Sequence, residues 1–133
     1  MIGLDTNVLA RFLVADDEVQ AARARTYIER AIAAGETLYI NRVVLVETVW
    51  ILAKFYRRSR PVLADAIERI LQAAEFEVEE KQLVWEALQE FRRGSADFAD
   101  TLIGAVNRFA GCSTTATFDK DAGKLKTFSL LVP

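Results

Sequence analysis

The sequence predicts an α/β protein with a central, mostly parallel sheet flanked by helices. Short continuous apolar runs, such as Ile2 to Leu4 and Leu38-Tyr39-Ile40, alternate with stretches of helical periodicity along the whole chain. That alternation is the pattern of strands joined by helical crossovers. The runs are continuous rather than polar at every second position, as strands covered on both faces of a parallel sheet are. Composition agrees: 133 residues, 52% hydrophobic and 27% charged with 6 Gly and 2 Pro, fit one domain over residues 1–133 and leave little room for disorder or linkers.

Met1-Ile-Gly-Leu-Asp-Thr-Asn7 opens the chain. Its apolar run ends in Asp5, and a helix over Asn7 to Val14 follows. Taken alone, Asp5 is most simply the cap of that helix. Asp16 or Asp17 caps the next, whose broad apolar face is Val19, Ala22, Ala24, Ile28, Ala31 and Ile32, and Gly35 ends it. Leu38 to Ile40 is the second strand, ending at Asn41. Val43 to Tyr56 is apolar almost all round, which predicts a helix buried on most sides. Glu47 lies inside it, and a buried carboxylate needs a salt bridge, a hydrogen-bond network or a metal.

Arg57-Arg58-Ser59-Arg60 closes that helix, where cations suit the helix dipole. Pro61 starts another, with Leu63, Ile67, Ile70 and Leu71 on one face. Phe76 to Val78 is the third strand. Lys81 to Arg93 is amphipathic: Val84, Ala87, Leu88 and Phe91 face inward, Glu86, Gln89, Glu90 and Arg93 outward, and Trp85 lies at the margin. Gly94 stops it and Ser95 caps a helix over Ala96 to Ala110, with Phe98, Leu102, Val106 and Phe109 as its buried stripe. Gly111 ends that helix. Thr114 to Phe118 is a strand with Asp119 at its carboxyl end, and Phe128 to Val132 is the last.

Absences narrow the chemistry. The chain has no histidine and one cysteine, Cys112, which removes imidazole bases, His-ligated metals, disulfides and CxxC sites. Cys112 is expected to be a small core residue. A net charge of −2 and a pI near 5.2 argue against a surface that is basic throughout. No signal peptide or membrane-length run is visible, so the expected location is the cytoplasm.

Carboxylates remain, and their placement is informative. Asp5 and Asp119 both follow strands, at the end where parallel sheets bind ligands. Glu47 is one turn into the helix after the second strand. Asp97 and Asp100 are three apart and share a face of the helix that enters the strand before Asp119. Right-handed crossovers bring such positions to one rim of a sheet. Several carboxylates on one rim repel, and a divalent cation relieves the repulsion. Oxygen donors without His or Cys select hard ions, Mg²⁺ or Mn²⁺. Such an ion orients a phosphodiester and lowers the pKa of an attacking water, so the residues point to metal-dependent phosphodiester hydrolysis.

Four motifs in order carry a family resemblance: Ile2-Gly-Leu-Asp-Thr-Asn7, Glu47 early in its apolar helix, Ala96-Asp-Phe-Ala-Asp-Thr-Leu-Ile-Gly104, and Thr117-Phe-Asp119. Together they resemble the PIN-domain family, specifically the VapC-type toxin ribonucleases of type II toxin–antitoxin pairs. The resemblance implies a PIN-like three-layer sandwich, with Asp5, Glu47, Asp100 and Asp119 as the catalytic acids and Asp5 and Asp100 as direct metal ligands. Asp100 is preferred to Asp97 because it directly precedes Leu-Ile-Gly, as the family's aspartate does. Thr6 and Thr117 resemble small polar residues that orient neighbouring carboxylates, Asn7 either does the same or caps its helix, and Asp121 is peripheral. An RNA substrate, Mg²⁺ (or Mn²⁺), a homodimer and a cognate VapB-like antitoxin are implied as well. Arg11, Arg57, Arg58, Arg60, Arg92, Arg93, Lys120 and Lys124 are the candidate cations flanking an RNA. A PIN-like domain that only binds RNA or protein is the alternative. A haloacid-dehalogenase-like phosphatase would want an Asp where Asn7 stands, and a receiver domain's acidic pair and lysine do not fit the spacing.

Overall fold

The computed structural model describes residues 1–14 and 18–132. The predicted cap at Asp16 or Asp17 lies outside the described residues. The chain divides into two compact units, Met1–Glu79 and Glu80–Pro133.

The first unit runs β1 (Ile2–Gly3), α1 (Thr6–Leu13), α2 (Glu18–Ala33), β2 (Leu38–Ile40), α3 (Arg42–Lys54), α4 (Arg60–Gln72) and β3 (Phe76–Val78). Its strands form a parallel sheet in the order β1-β2-β3, with Ile2 opposite Leu38 and Leu38 opposite Phe76. Two helices separate each strand from the next, as parallel pairing requires of a crossover. Leu9, Ile28, Leu38, Ile40, Leu45, Ile67 and Leu71 are fully buried, and the predicted inner face of α4 is buried throughout.

Two predicted faces need correction. In α2 the buried set is Ala21, Ala24, Ile28 and Ala31; Val19, Ala22 and Ile32 are exposed. Positions 21, 24, 28 and 31 keep strict helical spacing, and the stripe is narrower than the run of apolar letters suggests. In α3 the buried residues are Val44, Leu45, Thr48, Val49 and Leu52, whereas Val43, Trp50 and Phe55 are 67%, 61% and 72% exposed. The helix is therefore apolar all round but covered on one side, with positions 43, 47, 50 and 54 facing out. Glu47 is accordingly exposed, not buried.

The second unit runs α5 (Lys81–Arg93), α6 (Phe98–Phe109), β4 (Thr115–Thr117), a 3-10 turn (Ala122–Lys124) and β5 (Phe128–Leu130). The two strands pair in parallel, Thr115 opposite Phe128, so every strand pairing among the described residues is parallel. The inner face of α5 is as predicted, with Leu83 added, and Trp85 is half-buried. Phe91 meets Phe98 of α6 edge-to-face at 6.0 Å, a favoured aromatic geometry. A side chain at Gly104 would collide with the Phe128 ring, so only glycine lets α6 lie this close to β5.

Three expectations fail here. Ser95 does not cap α6; its hydroxyl donates to Asp121 Oδ1 at 2.8 Å, and Asp97 holds the cap position. Phe109 is 71% exposed because α6 turns that residue outward in its last turn. Cys112 is exposed rather than core; it sits in the turn after Gly111, whose φ of 101° is the left-handed geometry glycine allows.

Candidate active site

In the first unit, β1 stops at Gly3 and the backbone is extended at Asp5 (φ −81°, ψ 159°), which is the N-cap of α1. The exposed carboxylate of Asp5 accepts the Thr6 backbone N–H at 2.8 Å. Thr6 is buried, and its hydroxyl donates to Glu47 Oε1 at 2.8 Å. One buried threonine thus links the start of α1 to the second turn of α3 and fixes a carboxylate that would otherwise move freely in solvent. The carboxylate that this hydroxyl contacts is that of Glu47. Asn7 is exposed in the first turn of α1 and does not serve as the cap, since Asp5 does. Asp5 and Asn7 line an open cleft of about 620 Å³ together with Val8, Arg11, Gln20 and Tyr27. Arg11 is held there, its Nε donating to Gln20 at 2.9 Å and its NH1 to the Tyr56 hydroxyl at 2.8 Å.

In the second unit, the carboxylate of Asp97 accepts the Asp100 backbone N–H at 2.8 Å, satisfying one of the open donors of the first helical turn. Asp100 lies in that turn, half-buried. Its pKa is raised from 3.8 to about 6: burial contributes most, then the charge of Asp97 and a side-chain hydrogen bond with it, then the charge of Asp119. Asp119 follows β4 after one intervening residue. The Thr117 hydroxyl accepts its backbone N–H at 3.0 Å, and its Oδ1 accepts the Ala122 N–H at 2.8 Å, which fastens the carboxylate to the 3-10 turn. Asp121 is engaged by Ser95 and by Lys124, the latter at 3.3 Å, so Lys124 is tied to it.

The donors offered are carboxylate and hydroxyl oxygens alone, the set that suits Mg²⁺ or Mn²⁺. Among the described residues, no three acidic or thiol side chains form a ready metal-holding group. The second unit nonetheless holds Asp97, Asp100 and Asp119 close enough to raise the proton affinity of Asp100. A divalent cation there would replace the proton and relieve the repulsion.

A family model described as PIN domain matches residues 2–127. A VapC ribonuclease from Aquifex aeolicus (strain VF5) is 28% identical over 122 residues, covering 92% of this chain and 90% of that protein.

Proposed function

Because the chain belongs to the PIN-domain family, we propose that it is a metal-dependent endoribonuclease, the toxin of a VapBC-type pair. The carrying observation is the PIN-domain match over residues 2–127; half-buried Asp100, with Asp97 and Asp119 close by, supports it, since such carboxylates are typical of functional sites. Support for RNA as the substrate comes from the likeness to a VapC ribonuclease along nearly the whole of both chains. The family match crosses both units, which supports reading them as parts of one PIN domain.

In this reading Asp5, Glu47, Asp100 and Asp119 are the acids of the site, and Asp5 and Asp100 would hold Mg²⁺ or Mn²⁺. When bound, the ion supplies orientation of the phosphodiester and activation of the attacking water. Glu47, oriented by Thr6, is free to accept a proton. Asp119 is fixed near Asp100 by Thr117 and Ala122. Asp97 is a positioning residue, since its carboxylate caps the helix that presents Asp100. The product strands leave with water added across the P–O bond, its oxygen on phosphorus and its proton on the departing oxygen.

The apolar residues that α3 leaves exposed, Val43, Trp50 and Phe55, support the further proposals of a homodimer and of a VapB-like antitoxin partner. No helix among the described residues is long and apolar enough to cross a membrane, and the proposed place of action is the cytoplasm. Incubating the partner-free protein with RNA and Mg²⁺ or Mn²⁺ tests the function. Cleavage that EDTA stops and Asp5→Asn abolishes is the expected result; cleavage indifferent to EDTA would contradict it.

A further inference from the structure

Helix α2 carries a stripe that the acidic residues do not explain. Arg23, Tyr27 and Arg30 fall at i, i+4 and i+7, so they share one face, and all three are exposed. Arg23 and Tyr27 line the cleft that holds Asp5, and with Arg30 they also line a second depression of about 360 Å³. The two depressions share Arg23 and Tyr27 in their walls, and both lie within the first unit.

Charge distinguishes this surface from the rest of a chain whose net charge is −2. Among the residues lining the two depressions, the cations are Arg11, Arg23 and Arg30, and the one carboxylate is Asp5. Arg11 is held by Gln20 and Tyr56. The side chains of Arg23 and Arg30 make no hydrogen bond or ion pair among the described residues. Tyr27, 51% exposed, offers its ring to solvent between them. Arg23 and Arg30 are about 10 Å apart along the helix axis, from the rise per residue.

We infer that Arg23, Tyr27 and Arg30 form a binding track for single-stranded RNA leading to Asp5. The two guanidiniums take backbone phosphates and the Tyr27 ring stacks a base. An acidic protein segment would satisfy the arginines, but it gives no reason for an exposed ring between them. A stacked base does, and only an unpaired strand can turn a base out to stack on a side chain. The track rests on the ribonuclease reading for its direction toward Asp5; its affinity for RNA can be measured without catalysis.

Anisotropy of a labelled single-stranded oligoribonucleotide measures that affinity in the Asp5→Asn chain. Adding Arg23→Gln, Arg30→Gln or Tyr27→Ala is expected to weaken binding about tenfold each, whereas Tyr27→Phe keeps it within about twofold. Each arginine removed lowers the slope of log affinity against log salt by about 0.7. In the chain that retains Asp5, the same changes raise KM and leave kcat within about threefold, a split that a general loss of structure does not give. Unchanged affinity and salt slope in the arginine variants, with RNA still cleaved, would overturn the track, leave the ribonuclease reading standing and return the stripe to a protein contact. Duplex RNA binding as tightly as single strands would overturn the strand assignment. Weakened binding in the variants of a chain that cleaves no RNA would uphold the track and remove the ribonuclease reading instead.

Discussion

The two units hold their carboxylates in opposite ways. In the first, acids meet donors: Asp5 accepts a backbone N–H and Glu47 accepts the Thr6 hydroxyl. In the second, acids meet acids, and the proton affinity of Asp100 rises through its burial first and then through the nearby charges of Asp97 and Asp119. The first arrangement fixes geometry and stays satisfied without a ligand. The second stores unfavourable electrostatics that only a proton or a cation relieves. Hydrogen-bonded carboxylates and crowded carboxylates thus lie on separate stretches of sequence, which bears on what each substitution should do.

The largest effect falls where repulsion is stored. Asp100→Asn should lower RNA hydrolysis by more than the roughly 10–100-fold typical of a supporting residue. Asp97→Asn should cost less than about tenfold, because Asn is also a favoured N-cap and keeps α6 begun correctly. Steady-state cleavage rates decide between them, and equal losses would break the distinction between ligand and cap. A smaller effect is expected where donors rule. Thr6→Val keeps the shape but removes the hydroxyl, releasing Glu47, and should cost about 10–100-fold in rate. Thr6→Ser should restore most of it. Full activity in Thr6→Val would mean that Glu47 needs no orientation, and the first unit would lose its assigned part.

Much of this was legible in the sequence, and for identifiable reasons. The strand end at Asp5 is marked because an apolar run stops there, Asp119 follows the β-branched stretch Thr114 to Phe118, and the shared helix face of Asp97 and Asp100 follows from their spacing. The exposure of Glu47 was not legible. Helix α3 is apolar on every side, so composition gives no sign of which side is covered. Nor was the Thr6–Glu47 hydrogen bond, which joins residues 41 apart in sequence. The choice of Asp97 over Ser95 as the cap depends on where α6 begins, and helix ends are the least determined part of a periodic pattern. Arg23, Tyr27 and Arg30 do carry a readable signal, their i, i+4, i+7 spacing, which is masked because α2 bears charges elsewhere too.

The direction of the Asp100 shift gives the most direct test. A folded-state pKa of about 6, against the ordinary 3.8, means that the fold holds this proton more tightly than the unfolded chain does. The metal-free protein therefore loses this contribution to stability as pH rises from about 4 through about 6. Mg²⁺ competes with the proton, so its binding should weaken as pH falls through the same range. Following the Asp100 carboxyl carbon by NMR through a pH titration, without and then with Mg²⁺, reads both at once. The expected midpoint is near 6 in the metal-free chain, falling by more than about one unit when Mg²⁺ is added. A midpoint near 3.8 that Mg²⁺ leaves in place would contradict a cation-binding role for Asp100.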